Sequence, residues 1–321
     1  VTVPLIERFR DRLPVSRRTP VVSLGEGSTP LLKAERLSER LGREIWLKWE
    51  GVNPTGSYKD RGMTVAVSKA LEGGAEAVIC ASTGNTAASA AAYAARGGIP
   101  ALVLVPEGAV SGAKLAQTRM LGAKVLEARG TFDEALRAVQ ALAERGRHTL
   151  VNSLNPDRVE GQKTAVFEVV EELGRAPDAF VIPYGGGGNS TAYALGIAEL
   201  GVEATLVSAE SSQRETTIAS AIRIAVPVHA SQVAASGAQV VSVDDTEIVT
   251  AWRELAAVEG VFCEPSSAAG VAALLRGDVR GELVVCTLTG HGLKDPASAE
   301  KHAPPTVSVE PDPDAIAKAA R

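Results

Sequence analysis

Along the chain, short runs of Val, Leu, Ile and Ala alternate with longer stretches in which apolar residues return at helical spacing. The short runs fall at 44–50, 76–81, 101–106, 124–128 and 148–153, then at 179–184, 204–209, 240–243 and 283–288. Each has the length and branched aliphatic content of a buried strand. The longer stretches predict helices over 60–71, 86–96, 111–121, 132–145, 160–173, 190–200, 245–259 and 267–275. Strands separated by helices of this length indicate βαβ units, hence an α/β protein with open, mostly parallel, twisted sheets flanked by helices. Residues 51–150 carry βα units of their own, yet no linker, repeat or low-complexity tract marks a boundary. The Pro-rich tail from 304 offers a short Ala-rich helix after Asp312, read as a peripheral element.

Composition narrows the partners more than the fold. A chain of 321 residues, 45% of them hydrophobic, can bury one large core or two modest ones. Aromatic residues make up only 4% while Ala and Gly abound, which suits close helix-on-sheet packing. A net charge of −5 leaves no basic footprint for nucleic acid or an anionic membrane. No stretch approaches the roughly 20 apolar residues that a membrane helix needs, and residues 1–20 hold no signal-like run. Cys80, Cys263 and Cys286 are widely spaced, which favours buried thiols and a reducing cytoplasm over disulfides or zinc. His148, His229, His291 and His302 have no ligand spacing, so no metal is expected.

Chemistry collects where a strand or loop ends in small polar residues and a helix starts at once. Three segments share this design: 53–62, 82–86 and 184–190. Helix N-termini leave backbone N–H groups free and carry partial positive charge, so such loops suit phosphate and carboxylate groups. Gly185, Gly186, Gly187 and Gly188 form an uninterrupted run after an apolar strand. That run is entropically costly unless something approaches the backbone closely. It is neither a Walker loop, lacking Gly-Lys-Ser/Thr, nor a dinucleotide fingerprint, lacking the acidic partner downstream. Lys59 directly precedes a predicted helix start after Pro54, Gly56 and Ser57. An amine withdrawn from water at such a place is favoured in the neutral form that attacks an aldehyde. Asp60 and Arg61 follow, with partners the sequence does not identify.

The segment 53–62 (NPTGSYKDRG) resembles the lysine motif of the fold-type II pyridoxal-phosphate enzymes, with Tyr58 where that family usually carries Phe. Four more segments resemble the threonine synthases of that family: 25–30 (GEGSTP), 82–89 (STGNTAAS), 151–164 (VNSLNPDRVEGQKT) and 288–296 (LTGHGLKDP). The resemblance therefore runs through most of the chain. It implies two open, mostly parallel sheets, as in the tryptophan synthase β chain, with pyridoxal 5′-phosphate in the cleft between two domains. Residues 1–50 and 151–321 would form the larger, cofactor-binding domain and 51–150 a smaller, mobile one.

Carried over position by position, the resemblance implies that Lys59 holds the cofactor aldehyde and then moves protons. Asn85 would bond the cofactor's ring hydroxyl oxygen and Thr289 would face its pyridine nitrogen. Gly185, Gly186, Gly187, Gly188 and Asn189 would bind its phosphate. Ser82, Thr83, Asn85 and Thr86 would hold the substrate carboxylate, and Ser153 and Arg158 the substrate phosphate, with Asn189 nearby. Arg158 presents a planar fork suited to phosphate oxygens; the competing reading is a surface ion pair with Asp157 or Glu160. One departure is the glycine run, where threonine synthases commonly read Gly-Asn-Ala-Gly-Asn; it is more like the dehydratases of the superfamily.

The implied activity is a lyase reaction that turns O-phospho-L-homoserine and water into L-threonine and phosphate, the last step of threonine biosynthesis. The alternative is a threonine or serine dehydratase of the same fold. From a different class, a non-enzymatic phosphate-ligand binder has no use for Lys59. The family further implies a cytoplasmic homodimer, and the lack of an N-terminal regulatory extension leads us to expect little allosteric control.

Overall fold

The computed structural model describes residues 3–108 and 112–320, without the side chains of 112–114, 132 and 133. The strands are β1 (Leu31–Lys33), β2 (Glu44–Trp49), β3 (Ala77–Ala81), β4 (Ala101–Pro106), β5 (Lys124–Ala128), β6 (His148–Leu150), β7 (Ala179–Pro183), β8 (Thr205–Ser211), β9 (Gln239–Val243) and β10 (Leu283–Leu288). The helices before β7 are α1 (Leu5–Arg8), α2 (Glu35–Leu41), α3 (Lys59–Glu72), α4 (Asn85–Gly97), α5 (Gly112–Met120), α6 (Phe132–Ala143) and α7 (Pro156–Leu173). After β7 come α8 (Gly188–Leu200), α9 (Ala230–Ala235), α10 (Asp245–Val258), α11 (Ala269–Arg276), α12 (Pro296–His302) and α13 (Pro313–Ala319).

The strands form two sheets. One has the order β1-β2-β10-β7-β8-β9 and the other β5-β4-β3-β6. All pairings are parallel except that of β1 with β2. The expected α/β architecture of two mostly parallel sheets is what the chain adopts. Strands such as β3, β7 and β10 are buried along their whole length, as parallel strands covered on both faces must be. Cys80, Cys263 and Cys286 are buried free thiols packed among these apolar residues.

Strand order fixes where a ligand can sit. In an open parallel sheet, the loops at the carboxyl ends diverge where the strand order reverses, and a crevice opens there. In the larger sheet that point lies between β10 and β7, whose carboxyl ends lead into Thr289 and Gly185. In the smaller sheet it lies between β3 and β6, which lead into Ser82 and Ser153. Topology alone thus gathers the chemically suggestive loops at two crevices.

Helix α3, which starts at Lys59, packs against both α4 and α7. Its contact with α7 is backbone to backbone. A Cβ on Gly161 would fall 2.1 Å from the Arg61 carbonyl oxygen, and one on Gly62 would fall 2.5 Å from that of Arg158. Only glycine at both positions lets the two helices close, and that closure brings the first turns of α3 and α7 together.

Several boundaries differ from the sequence expectation, each for a local reason. The strand expected to reach 153 stops at Leu150, because Asn152 replaces the ladder with its side-chain amide: Oδ1 accepts from Ala81 N–H at 2.9 Å and Nδ2 donates to Ala81 O at 2.8 Å. Helix α7 starts at Pro156 rather than 160, capped by the Asn155 side chain with proline at the first helical position. Helix α8 starts at Gly188 rather than 190. Ser111, where a helix was expected to start, lies outside the described residues, and α5 runs from Gly112. The short elements β1, α1, α2, α9 and α12 were not expected at all, having too few residues for a periodic signal. The tail helix α13 is peripheral, as expected, with no buried residue.

Replacing Gly161 with alanine should separate α3 from α7 and cost about 1–3 kcal/mol of stability. Urea unfolding of Gly161→Ala measures this, and a midpoint equal to that of the parent protein would contradict the backbone-to-backbone packing.

Candidate active site

Strand β2 ends at Trp49, passes through a 3-10 turn (Glu50–Val52) and a loop, and delivers Lys59 as the first residue of α3. The loop is fastened to the segment after β10: Tyr58 N–H donates to Thr289 O at 3.0 Å and His291 N–H to Gly56 O at 2.9 Å. Asp60 and Arg61, left unassigned by the sequence, are the fasteners beneath. Asp60 is buried; Oδ1 accepts from Ser89 Oγ and Thr55 Oγ1, both at 2.6 Å, and Oδ2 from Thr55 N–H at 2.7 Å. Burial outweighs these bonds and pushes its carboxyl up to about 6. Arg61 is also buried, and its fork grips Glu50 at 2.7 and 2.8 Å and Glu168 at 2.8 and 2.6 Å. Lys48 adds a second cation 2.9 Å from Glu168. Burial works against every charge here. The carboxylates of Glu168 and Glu50 nonetheless hold the guanidinium above its ordinary value, and Arg61 and Lys48 hold the Glu168 carboxyl well below the usual range. Above this cluster, Lys59 Nζ donates to the Tyr58 hydroxyl at 2.5 Å.

Strand β3 ends at Ala81, and Ser82, Thr83 and Gly84 lead into α4. The first hydrogen bond back into this turn runs from Ala87 N–H to Gly84 O at 3.0 Å. The N–H groups of Asn85 and Thr86 at the head of the helix are therefore left for another acceptor. Asn85 Nδ2 lies 3.2 Å from each carboxyl oxygen of Glu264. Burial pushes the Glu264 carboxyl up, while Asn85, Lys294 and Lys59 draw it part of the way back. Glu264 N–H donates to Gly290 O at 2.9 Å, and a Cβ on Gly290 would meet Glu264 Oε1 at 2.4 Å. Thr289 Oγ1 lies 3.1 Å from Ser267 Oγ.

The glycine run caps α8, with Gly187 in the left-handed region at φ 89°. Among the described residues none accepts from the backbone N–H groups of Gly185 to Asn189. Asn189 is buried, and its Nδ2 has no partner among the described residues. Ser153 packs against this loop, its Cβ lying 3.5 Å from where a Gly188 Cβ would be. Arg158, in the first turn of α7, is only 1% exposed. Its Nη1 donates to Val151 O at 3.1 Å, while Nε and Nη2 have no partner among the described residues. Burial pulls its guanidinium below the ordinary value. The surface ion pair weighed as an alternative is not formed; Glu160 pairs with Lys163 instead.

The sequence-derived candidates thus fall into contacting groups. Tyr58, next to Lys59, is bonded through its backbone N–H to Thr289 O, and Asn85 reaches Glu264, which is bonded to Gly290 beside Thr289. Ser82, Thr83, Asn85 and Thr86 form the head of α4, while Ser153 lies against Gly188. Two further residues belong to these groups: Glu264, and His229, whose Nε2 lies 2.9 Å from Ser153 O. Neither has a spacing signal, since their partners are 179 and 76 positions away. The hint to Glu264 was its place at the head of the Glu264-Pro-Ser-Ser267 run, which by itself assigns it no partner.

Comparison with known proteins agrees with this geometry. Residues 22–290 match the family model described as pyridoxal-phosphate dependent enzyme. A threonine synthase from Synechocystis sp. is 48% identical over 98% of this chain and 90% of its own. One from Mycobacterium tuberculosis is 48% identical over 97% and 94%, respectively. Among solved structures, maize serine racemase superposes with a TM-score of 0.75 at 22% identity, covering 85% of this chain and 92% of its own. At that identity the likeness shows the fold alone.

Arg61→Met leaves Glu50 and Glu168 buried without their main counter-charge and should cost about 3–5 kcal/mol at neutral pH. Glu168 has a depressed carboxyl, so its contribution is complete above the ordinary carboxyl range and is lost on acidification. The deficit of the variant should therefore shrink in acid; an equal urea midpoint difference at both pH values would contradict the cluster's role. Asp60 acts in the opposite sense. Its folded value is raised, so the native state holds this proton more tightly and stability falls as pH rises from about 4 to about 6. Asp60→Asn should remove that part of the slope in a stability–pH profile.

Proposed function

We propose, from the premise that this chain belongs to the pyridoxal-phosphate dependent enzymes and within them to the threonine synthases, that it converts O-phospho-L-homoserine and water to L-threonine and phosphate with Lys59 as its proton-moving base. The residues fit the cofactor. A lysine amine at a helix head, a loop with free N–H groups and the unpartnered Asn189 amide, and a threonine hydroxyl opposite them supply partners for its aldehyde, phosphate and ring nitrogen. Bound pyridoxal phosphate supplies the carbonyl that captures the substrate amine and a ring that draws electrons from Cα.

The chain's own residues would do the rest. The amides of Asn85 and Thr86, with Ser82 and Thr83, hold the α-carboxylate, which fixes the direction of the Cα–H bond. Lys59 Nζ takes the Cα proton and then a Cβ proton, and returns one at Cγ after phosphate departs. Water then adds at Cβ, and the remaining proton returns to Cα. Thr289, held by Ser267, offers the ring nitrogen an uncharged partner, and Asn85, held by Glu264, offers a donor to the ring hydroxyl oxygen.

One observation carries the choice of substrate: Arg158 is fully buried, charged, and has two unpartnered donors beside the Ser153 loop. A dehydratase acting on serine or threonine would leave that cation with nothing to bind. The same reading includes residues 51–150 as a smaller mobile domain against 1–50 and 151–321, supported by the separate four-stranded sheet. It also includes a homodimer in the cytoplasm. The exposed apolar side chains of Val226 and Val228 support a covering second copy, and the three free thiols support a reducing compartment.

Lys59→Ala should abolish formation of threonine from O-phospho-L-homoserine; substantial residual turnover would sink the assignment. Arg158→Gln should raise KM for that substrate by about tenfold or more, as expected for loss of a charge-assisted bond. An unchanged KM would shift the reading toward the dehydratase.

A further inference from the structure

The imidazole of His229 lies on the seam between the two anion-binding loops. His229 is 7% exposed and precedes the short helix α9. Its backbone N–H donates to Gly186 O at 3.0 Å, and its ring Nε2 is 2.9 Å from Ser153 O. A carbonyl oxygen only accepts, so Nε2 carries the proton. The ring occupies space that the glycine run leaves free: a Cβ on Gly187 would come within 2.9 Å of His229 Cβ, and one on Gly188 within 3.6 Å of Nε2. The uninterrupted glycines are thus a seat for this side chain as well as a loop for an anion.

Besides Arg158 Nη1, which donates to Val151 O at 3.1 Å just before it, the Ser153 loop has two other side-chain anchors. Asn152 ties it to β3, and Asn155 Nδ2 donates to Leu150 O at 2.8 Å at the end of β6. Both anchors belong to the smaller sheet. Among the described residues, the bond from His229 is the one that reaches across to the glycine loop of the larger sheet.

We propose that His229 is a positioning residue for the substrate phosphate, holding the Ser153 loop at a fixed distance from the glycine loop through its Nε2–H bond to the Ser153 carbonyl. This rests on the reading of Ser153 and Arg158 as phosphate ligands. Without the bond, Ser153 and the cofactor-phosphate loop drift independently, and the substrate phosphate loses one side of its cradle while Lys59 is untouched.

The test uses holoenzyme carrying His229→Ala, His229→Gln or His229→Asn, with Arg158→Gln as the control. Inorganic phosphate binding is measured by calorimetry, alongside KM and kcat for O-phospho-L-homoserine. His229→Ala should weaken phosphate binding and raise KM by about five- to tenfold, the size of one lost neutral hydrogen bond, with a smaller change in kcat. Glutamine places its amide nitrogen near the Nε2 position and should restore both constants to within about twofold, on the same hydrogen-bond scale. Asparagine, which mimics Nδ1, should not. Equal losses in the alanine and glutamine variants, or a loss confined to thermal stability, would overturn the proposal. If Arg158→Gln leaves phosphate binding unchanged, the phosphate reading falls and takes this proposal with it. An Arg158 effect without a His229 effect overturns only the proposal.

Discussion

A buried guanidinium fixes the geometry on which everything else in this protein depends. Arg61 sits two residues after Lys59 and spends its fork on Glu50, at the end of β2, and on Glu168, in the middle of α7. The same two carboxylates reach further. Glu50 accepts from Thr29 at 2.7 Å and Asn53 at 2.9 Å, and Glu168 from Ser28 N–H at 2.8 Å. The 25–30 loop, the lysine loop and the α3–α7 contact are thereby tied to one cation. Buried ion pairs gain little net stability, because desolvation offsets most of the Coulombic attraction. Their directional geometry is a better reason for this one: it leaves Lys59 one place to be.

With the lysine placed, the site follows from sheet topology and backbone dipoles rather than from many side chains. Both sheets reverse their strand order next to the loops that carry the chemistry, and the heads of α4 and α8 point unshared N–H groups into those crevices. A helix head carries roughly half a positive charge, enough to hold carboxylate and phosphate without lysines that would compete with Lys59 for the aldehyde. Arg158 is the exception, a full buried charge beside the Ser153 loop that, in the proposed reading, meets a second phosphate. Asn85 in turn is steadied by Glu264, whose carboxyl is pushed up by burial and drawn part of the way back by Asn85, Lys294 and Lys59.

Much of this was legible in the sequence, and the illegible parts share a cause. Strands such as β4, β5 and β10 were read at their observed bounds because buried aliphatic runs are a strong local signal. The start of α7 lies four residues before the one that apolar periodicity predicts, because the Asn155 cap and first-turn Pro156 set it and neither belongs to the apolar pattern. The roles of Asp60 and Arg61 could not be read, since partners such as Ser89 and Glu168 become neighbours only through tertiary packing. Glu264 and His229 were missed for the same reason. Local pattern reports elements, and a recurring family motif reports a site, but contacts between distant loops belong to the folded chain.

In the proposed reaction the substrate's carbon–oxygen bond breaks and water adds to carbon, while Arg158 holds a phosphate that leaves intact. The most direct measurement offers the reconstituted enzyme O-phospho-L-homoserine in ¹⁸O-labelled water and weighs both products by mass spectrometry. The account predicts one heavy oxygen in threonine and none in the newly released phosphate. Heavy oxygen in the phosphate would mean that water attacked phosphorus, and a 2-oxo acid in place of threonine would mean that the site eliminates without replacing; either result would contradict it.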